Sequence, residues 1–520
     1  MPTLSFDVEV LSSTTCFPES RKGETTTVPL SIIDCSVTFY TRCAAIWYFN
    51  PPTDSKCSLS SEHLKAALSK TLNAYPQWCG RATYTKYSPN EGHTKRYRRV
   101  ELIFNSSADI GVLFVTASSP KLLSDFLPDP MSRKTSTRAW DGSQVPSKEL
   151  YPQTPLSLAQ DPDASNVVIQ FTTFACGSTA ISISITHAFA DAQTLSQFAK
   201  DYASVSKALF SESSLPIISP IFDPSLVDKF SAGEIDAEMP NEELQNQARE
   251  LPCHRYDRYR QGLGQSWPAE VPADFDTVAH LPLSPSTVIP WNEWDLTAKV
   301  SHRVLHFTAP QVTRIFTFAS SPPDVPKISK LDSLLAHIWT RINAARQLRP
   351  KTLTYLDMTL GLRARVEPPL PSSFLGSPIL SAAVPFVIPE EPSHSKSLSD
   401  SAVSIRNTLQ AFTPKAVAAI LHDTAFEVSP QRLWRCLLGK NHILLTTWLH
   451  LGLDEVEFTG KGNLRHVEPI MPSCDGLVDV LETIGDLKEG HWSRNGVDVS
   501  VYLEEATMER LLADPWLWSV

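Results

Sequence analysis

Several features that guide the interpretation of a new sequence are missing from this 520-residue chain. Its nine cysteines include no C-x-x-C pair and are odd in number, which disfavours a zinc site and a disulfide framework. No apolar run reaches the roughly 18 residues that cross a bilayer, and the N-terminus has no continuous apolar segment typical of signal peptides. These absences predict a cytoplasmic protein with no metal and no membrane partner.

Clusters of basic residues are absent as well. The chain has 46 Lys and Arg against 56 Asp and Glu, a formal net charge of -10, whereas binding to nucleic acid depends on clustered positive side chains. Hydrophobic residues make up 42% and charged residues 20% of the chain, as in ordinary soluble enzymes. We therefore expect a globular protein without a nucleic-acid partner.

The length exceeds the size at which one hydrophobic core keeps growing, so the chain is expected to form two domains. Its 41 prolines cluster from residues 213–226 to 281–294, a stretch that predicts a long crossover with one polar helix inside it. Strand and helix patterns are mixed on both sides of this crossover. The pattern predicts an α/β fold with an N-terminal domain at 1–225, a crossover linker at 226–298 and a C-terminal domain at 299–520.

Two strongly patterned segments lie within this framework. The segments NVVIQFTTFA and TAISISIT alternate around the turn from Cys176 to Ser178, which predicts a β-hairpin with one buried face. The segment SKLDSLLAHIWTRINAAR has an apolar stripe at helical spacing. It starts with an S-x-x-D cap formed by Ser329 and Asp332, which predicts a helix.

The residues most able to carry chemistry lie where the hairpin ends. His187 follows the second strand, and Asp191 precedes an amphipathic helix four residues later. A rigid strand can present an imidazole to a cavity at its end. A second H-x-x-x-D match, His450 with Asp454, lies in TTWLHLGLDEVEF, whose polar positions fit an exposed strand and turn. We therefore favour His187.

Both residues also have an ordinary structural explanation. A carboxylate just before a helix, such as Asp191, commonly caps the helix by accepting hydrogen bonds from free backbone amides. A histidine such as His187 is commonly a half-buried side chain whose hydrogen bonds are satisfied. A metal site is disfavoured because no third ligand is near these two in sequence. The local pattern alone leaves the structural explanations open.

Five tracts, in order, give the sequence a wider resemblance. They are LKAALSKTLNAYPQWCGR, IQFTTFACGSTAISISITHAFADAQTLSQFAKDYA, SKLDSLLAHIWTRINAARQL, LGLRARVEPPLPSSFLGSPI and TTWLHLGLDEVEFTGKG. They resemble tracts of the BAHD superfamily of acyl-CoA-dependent acyltransferases, including its H-x-x-x-D hairpin, its R-x-R-x-x-P-P-L-P-x-x-Y-x-G-N segment and its T-S-W segment. The resemblance extends from about residue 30 to about residue 470. It is strongest to the fungal branch, which acylates secondary-metabolite alcohols.

The resemblance implies two chloramphenicol-acetyltransferase-like domains with a tunnel at their interface, where acyl-CoA and a small-molecule alcohol meet. The protein would be an O-acyltransferase, by default an O-acetyltransferase, acting as a monomer. Acyl-CoA would be its co-substrate, and no cofactor would be bound. His187 would act as the general base without a covalent acyl-enzyme, a role that suits a group titrating near neutral pH.

The resemblance also implies supporting residues. Asp191 would hold the histidine loop in place by pairing with Arg363 of the R-x-R tract. Trp448 is the candidate hydrogen-bond donor to the oxyanion, and its alternative is a packed core indole. The residues implied to line the CoA or substrate channel are Ser329, Thr446 and Thr447.

Departures from the family pattern keep two alternatives open. The D-F-G-W-G tract of the family reads EFTGK at residues 457–461, which would fit a non-catalytic relative that binds a metabolite. Ala192 and Gly361 also differ from the usual residues. A condensation-type domain, which takes acyl groups from a carrier protein, usually has a second histidine where this chain has Thr186. The sequence does not identify the acceptor substrate. Terpenoid, alkaloid and polyketide alcohols, and amines, are all compatible with it.

Overall fold

A computed structural model describes residues 7–20, 24–52, 58–135, 138–155, 158, 161–262, 271–322, 326–391, 393–461, 463–485 and 490–519 of the chain. The strands, in chain order, are β1 (Glu9–Cys16), β2 (Thr26–Pro29), β3 (Cys43–Phe49), β4 (Arg81–Tyr84), β5 (Val100–Phe104), β6 (Val112–Ser119), β7 (Ala139–Asp141), β8 (Val167–Phe174), β9 (Thr179–Ile185), β10 (Tyr256–Asp257), β11 (Thr287–Val288), β12 (Val300–Phe307), β13 (Leu353–Gly361), β14 (Ile379–Val387), β15 (Leu433–Trp434), β16 (His442–Thr447), β17 (Leu464–Pro469), β18 (Leu477–Glu482) and β19 (Val497–Glu504).

The α-helices, again in chain order, are α1 (Ile32–Ser36), α2 (Ser61–Thr71), α3 (Pro130–Thr135), α4 (Ser147–Leu150), α5 (Ala192–Phe210), α6 (Ser225–Asp228), α7 (Glu242–Arg249), α8 (Ala309–Ala319), α9 (Lys330–Ala345), α10 (His394–Ala411), α11 (Pro414–Ala425) and α12 (Glu505–Leu512).

The first large sheet has the strand order β1-β6-β8-β9-β3-β17. Its centre is the predicted hairpin, which is confirmed because β8 and β9 pair antiparallel. The connecting turn places Gly177 at φ 80°, a conformation that glycine adopts without strain. The isoleucines of β9 are fully buried in a hydrophobic cluster shared with α2 and α5, and each contributes about 1.5–3 kcal/mol of transfer free energy.

The second large sheet has the order β14-β13-β16-β18-β19-β12-β7, and its core packs against α8, α9, α10 and α12. The start of α9 confirms the predicted cap. The side chain of Ser329 accepts the N–H of Asp332, and the carboxylate of Asp332 accepts the N–H of Ser329 at 2.7 Å. The helix thereby satisfies two of its free N–H groups at its first turn.

Each large sheet contains one strand from the other half of the chain. β7, from the N-terminal half, pairs with β12, and β17, from the C-terminal half, pairs with β3. The halves therefore share backbone hydrogen bonds as well as side-chain contacts. The exact domain boundaries given by the sequence stay a prediction.

The crossover between the halves contains α6, α7, β10 and β11. The predicted polar helix is confirmed as α7, which is capped by the side chain of Asn241 and packs on α11. Two small sheets, β11-β10-β15 and β2-β5-β4, complete the strand pairing.

The combination of helices with mixed sheets confirms the α/β class. Parallel pairing joins β6 to β8, β13 to β16 and β16 to β18, whereas most other neighbours run antiparallel. Among the described helices, none combines the length and apolar character needed to cross a bilayer. The arrangement brings the end of β9 against the segment between β13 and β14, where the candidate site lies.

Candidate active site

The histidine of the site sits on a short loop between β9 and α5. The strand ends at Ile185, and two backbone hydrogen bonds fold the next residues into a turn: Phe189 N–H to Thr186 O at 2.9 Å and Ala190 N–H to His187 O at 3.3 Å. Residues on either side of the loop are fully buried. The loop therefore has a fixed shape, and His187 is placed at the end of a buried strand, as the sequence predicted.

The imidazole of His187 is half-buried and is contacted on two sides. Its Nδ1 lies 3.1 Å from Oγ of Ser377, and the ring of Tyr40 meets it edge-on with 5.5 Å between centroids. Burial lowers the pKa of His187 below its ordinary 6.5, although its own backbone carbonyl and the Asp191 carboxylate oppose this shift. The ring is therefore neutral at pH 7, with Nε2 left to accept a proton.

The carboxylate of Asp191 is bonded to the C-terminal half rather than to His187. Nη1 and Nη2 of Arg363 donate to its two oxygens, the second at 3.0 Å, and each of the two side chains is only 9% exposed. One carboxylate oxygen also accepts the N–H of Thr194 at 3.0 Å, which caps α5. Both the capping explanation and the pairing with Arg363 are thus present in the geometry. The part that Asp191 plays in catalysis stays a prediction.

The backbone of Gly376 completes the junction between the halves. Its carbonyl oxygen accepts the N–H of Asp191 at 3.1 Å and the hydroxyl of Thr194 at 2.8 Å, while its own N–H donates to that hydroxyl at 3.1 Å. Gly376 has φ 149°, and a Cβ there would lie 3.1 Å from the ring of Phe374. A larger residue would therefore strain the backbone that clamps the histidine loop.

A chain of hydrogen bonds that the sequence analysis did not identify supports His187 on its Nδ1 side. Ser377, which bonds Nδ1, is itself fixed because its N–H donates to Asp34 Oδ1 at 2.7 Å. Ser31 donates its hydroxyl to the other oxygen of Asp34 at 2.7 Å. Burial raises the pKa of Asp34 to about 7, with Ser31 opposing the shift. Ser377 occupies the last position of the Y-x-G-N tract, so its place in the motif was the available signal.

Two cavities open between the halves of the chain. The larger encloses about 730 Å³ between β17 and the C-terminal sheet and is lined by Trp448, His466 and Glu468, among others. The smaller encloses about 500 Å³ and is lined by Tyr40, Ser381 and Arg435, among others. His187 lines neither cavity directly, but its neighbour Tyr40 forms part of the wall of the smaller one. A continuous tunnel past His187 stays a prediction.

The remaining predicted site residues lie apart from His187. The Trp448 side chain is 5% exposed, belongs to the hydrophobic cluster of the first sheet and borders the larger cavity. Its indole N–H has no acceptor among the described residues. Thr446 and Thr447 end β16 and are half-buried, and Ser329 caps α9. The structure shows no direct contact of these residues with His187, so their predicted roles stay predictions.

The second H-x-x-x-D pair has a different setting. His450 is exposed in a turn at φ 63°, and its N–H donates to Glu482 at 2.7 Å. Asp454 pairs with Arg494 at 3.4 Å. This exposed turn matches the setting expected from the sequence.

One group of side chains could ligate a metal ion. His254, Asp357 and His442 place their ligand atoms within 4.8 Å of one another. The two carboxylate oxygens of Asp357 accept hydrogen bonds from His254 at 2.9 Å, His442 at 3.1 Å and the N–H of Leu437 at 2.9 Å. Because these bonds already satisfy the buried carboxylate, the group is explained as a structural hydrogen-bonded network.

Fold, site and sequence comparisons together define the class of the protein as an acyl-CoA-dependent acyltransferase. A family model described as Transferase family matches residues 6–251 and 268–515. The chain belongs to this family, that of the BAHD acyltransferases, and the resemblance read from the sequence is confirmed.

Relatives match over nearly the whole chain. Acyltransferase abl6 of Leptosphaeria maculans is 26% identical over 526 residues, which cover 99% of this chain and 98% of that protein. Acyltransferase AFT15-1 of Alternaria alternata is 27% identical over 493 residues, covering 92% and 90%. Among solved structures, F. sporotrichioides TRI101 complexed with coenzyme A and T-2 has a TM-score of 0.62 at 16% identity, covering 94% of this chain and 98% of that one. This structural likeness confirms the fold.

The buried pair between Asp191 and Arg363 leads to a prediction about stability. Arg363→Met leaves the Asp191 carboxylate buried without its cation, and breaking a buried pair in this way costs about 3–5 kcal/mol. We expect the free energy of unfolding, measured by urea titration, to fall by that amount.

A matched control removes one partner of an exposed pair. Lys351 and Glu390 lie 2.6 Å apart with side chains 75% and 67% exposed, and pairs of this kind contribute about 0–1 kcal/mol. Lys351→Met should therefore change the free energy of unfolding little. An equal decrease in the free energy of unfolding of the two variants would show that the pair between Asp191 and Arg363 does not hold the halves together.

Proposed function

We propose that this protein is an O-acyltransferase, by default an O-acetyltransferase, that moves the acyl group of acyl-CoA to a hydroxyl of a small secondary metabolite. The observation that carries the proposal is the neutral imidazole of His187 on a clamped loop at the junction of the two halves. Ser377 engages Nδ1, and Nε2 has no partner among the described residues. A fixed neutral imidazole with one free nitrogen is the arrangement that a general base needs.

The proposed reaction begins when the acceptor hydroxyl attacks the thioester carbonyl of acyl-CoA. Nε2 of His187 takes the hydroxyl proton as the new C–O bond forms. The tetrahedral intermediate then collapses, the C–S bond breaks, and the imidazolium returns its proton to the departing thiolate. The products are the ester and free CoA, and the histidine is neutral again.

A covalent acyl-enzyme has no role in this proposal. The side chains that contact the imidazole are Ser377 and Tyr40. The hydroxyl of Ser377 is 0% exposed and lies behind the ring on Nδ1, so it cannot reach a thioester as a nucleophile. The ring is therefore left to act on the acceptor directly.

The substrate classes draw support from the family and from one solved relative. TRI101 was crystallised with coenzyme A and T-2, a complex with one acyl carrier and one small molecule. By analogy, this chain would bind acyl-CoA and a small-molecule alcohol between its halves. Acetyl is the default acyl group because the sequence most resembles the fungal branch of the family.

Replacing the proposed base gives the first test of function. His187→Ala should lower the rate of thiol release from acetyl-CoA in the presence of a metabolite alcohol by about 10²–10⁴-fold, because the proton then has no acceptor. Binding of CoA, measured by calorimetry, should persist. His450→Ala is the matched control, and thiol release should be unchanged in it. If release survives His187→Ala but stops in His450→Ala, the wrong histidine has been assigned.

The lowered pKa of His187 predicts the pH dependence of the reaction. An imidazole whose pKa lies below 6.5 stays mainly neutral as the pH falls toward that pKa. It loses its capacity to accept a proton only when the pH falls below the pKa. We expect the acid limb of kcat/KM to be centred below pH 6.5, with circular dichroism at each pH to confirm that the protein stays folded. An acid limb centred above pH 6.5 would contradict the burial of the ring.

Ser377 is proposed as a positioning residue for His187. Ser377→Ala removes the partner of Nδ1 and should lower kcat by about two- to tenfold with KM unchanged, the effect of one hydrogen bond of ordinary strength. Ser399→Ala is the control, because Ser399 is also buried and donates to Ala319 O at 2.7 Å far from the site. A fall in kcat in both variants, or in neither, would show that Ser377 does not orient the ring.

A further inference from the structure

The smaller cavity is linked to the proposed base through one shared neighbour, Tyr40. Tyr40 contacts the ring of His187 on one side and lines the cavity on the other. Ile379, two residues beyond the Ser377 that holds His187, also lines it. The space between its walls, about 500 Å³, is partly open to solvent. The cavity therefore approaches His187 on the side of Tyr40.

The wall of this cavity combines apolar side chains with polar ones, among them the carboxylate of Glu427 and one cation. Arg435 is half-buried and faces the cavity. Among the described residues, it forms no hydrogen bond and no ion pair. Burial, and then the neighbouring Arg255, lower the pKa of the guanidinium, while Cys253, Asp423 and Glu427 oppose the shift. Charged side chains in such settings are almost always paired, so the missing partner needs an explanation.

The nearest acidic groups are already engaged by other arginines. Asp423 is held by Arg249 at 3.0 Å and by Arg255 at 2.7 Å. Glu427 is held by Arg432, whose Nε and Nη2 donate to its two oxygens at 2.8 and 3.1 Å. Neither carboxylate forms a hydrogen bond or an ion pair with Arg435, and both act on its charge only at longer range.

Two hydroxyl groups of the cavity wall are committed as well. Ser36 donates to the carbonyl oxygen of Ile33 at 2.7 Å, and Thr424 donates to that of Ile420 at 2.8 Å. The guanidinium of Arg435 is therefore the strongest unengaged donor that the cavity offers. Its planar group of N–H donors matches the two oxygens of a carboxylate.

We propose that the smaller cavity binds the acceptor and that Arg435 binds a carboxylate on it, so that the preferred acceptors are apolar hydroxy acids. This inference rests on the proposed acyl transfer by His187. The apolar part of the wall, formed by Ile33, Val37, Leu380 and Leu433, covers the body of the acceptor. The carboxylate end lies at Arg435, and the hydroxyl end lies toward His187.

The acceptor is a better source of the anion than CoA. The phosphates of CoA are separated from its sulfur by the whole pantetheine arm, whereas Arg435 and the Tyr40 that touches His187 line one small cavity. A phosphate bound at Arg435 would place the thioester far from the base. A carboxylate on a small acceptor leaves its hydroxyl within reach of the base.

The test compares free acids with their methyl esters. Mandelic, tropic and ricinoleic acids are each offered with acetyl-CoA alongside the corresponding methyl ester, and thiol release is followed. We expect kcat/KM to favour the acid of at least one pair by about 10- to 100-fold, the effect of a hydrogen-bonded charge pair. Arg435→Gln should remove this preference, and Arg435→Lys should keep part of it because the charge remains without the planar donors.

Arg314→Gln is the matched control. Arg314 is exposed on α8, so its loss removes the same charge at a distance from the cavity and should leave the preference intact. The KM for acetyl-CoA should be unchanged in all three variants. A rise confined to the KM for acetyl-CoA in Arg435→Gln would assign the guanidinium to the CoA phosphates and overturn the proposal.

Calorimetric titration of the same acids and esters into wild-type and Arg435→Gln protein separates the two proposals. If the acids bind with a dependence on Arg435 but no thiol is released, the anion site stands and the acyl transfer is wrong. If thiol is released with neutral alcohols but no acid is preferred over its ester in rate or binding, the acyl transfer stands. The carboxylate site is then wrong.

Discussion

The buried ion pair between Asp191 and Arg363 is the interaction on which the rest of the site depends. Asp191 is the N-cap residue of α5 in one half, and Arg363 follows β13 in the other. Both side chains are almost fully withdrawn from water. Two ions taken out of water are costly unless every lone pair is satisfied. Here Thr194 and the carbonyl of Gly376 supply the additional hydrogen bonds. The pair therefore stabilises one alignment of the two halves, and His187 is fixed only in that alignment.

The same segment that receives the ion pair also orients the imidazole. Gly376 accepts the N–H of Asp191, and the next residue, Ser377, bonds Nδ1 of His187. Asp34 holds Ser377 from the opposite side. A shift of the halves would thus move the partner of Nδ1 together with the clamp on the loop. Because the geometry of a general base must be accurate to a fraction of an ångström, structural support and chemistry are coupled through two consecutive residues.

The sequence analysis predicted features that are set by neighbouring residues. It missed contacts between residues that are distant in the chain. The hairpin of β8 and β9, the cap of α9 at Ser329 and the polar helix of the crossover follow from periodicity and capping, which act over a few residues. His187 was found because it follows a strand of strict alternation. The pairing with Arg363 came only through resemblance to a family. Tyr40 and Asp34 come within reach of His187 through tertiary folding, for which a single sequence has no periodic signal.

Two arginines that precede β16 show that ion-pair contacts can distinguish residues which look alike in the sequence. Arg432 and Arg435 are three residues apart and indistinguishable by composition. Arg432 is fully buried and is neutralised by Glu427 and Asp257, so its charge serves the fold. Arg435 faces a cavity, and its nearby carboxylates are bonded to other arginines, so no described side chain forms a direct ion pair with it. Local rules are broken most often where a ligand supplies the missing partner. That difference, visible only when every counter-charge is assigned, separates a structural arginine from a binding one.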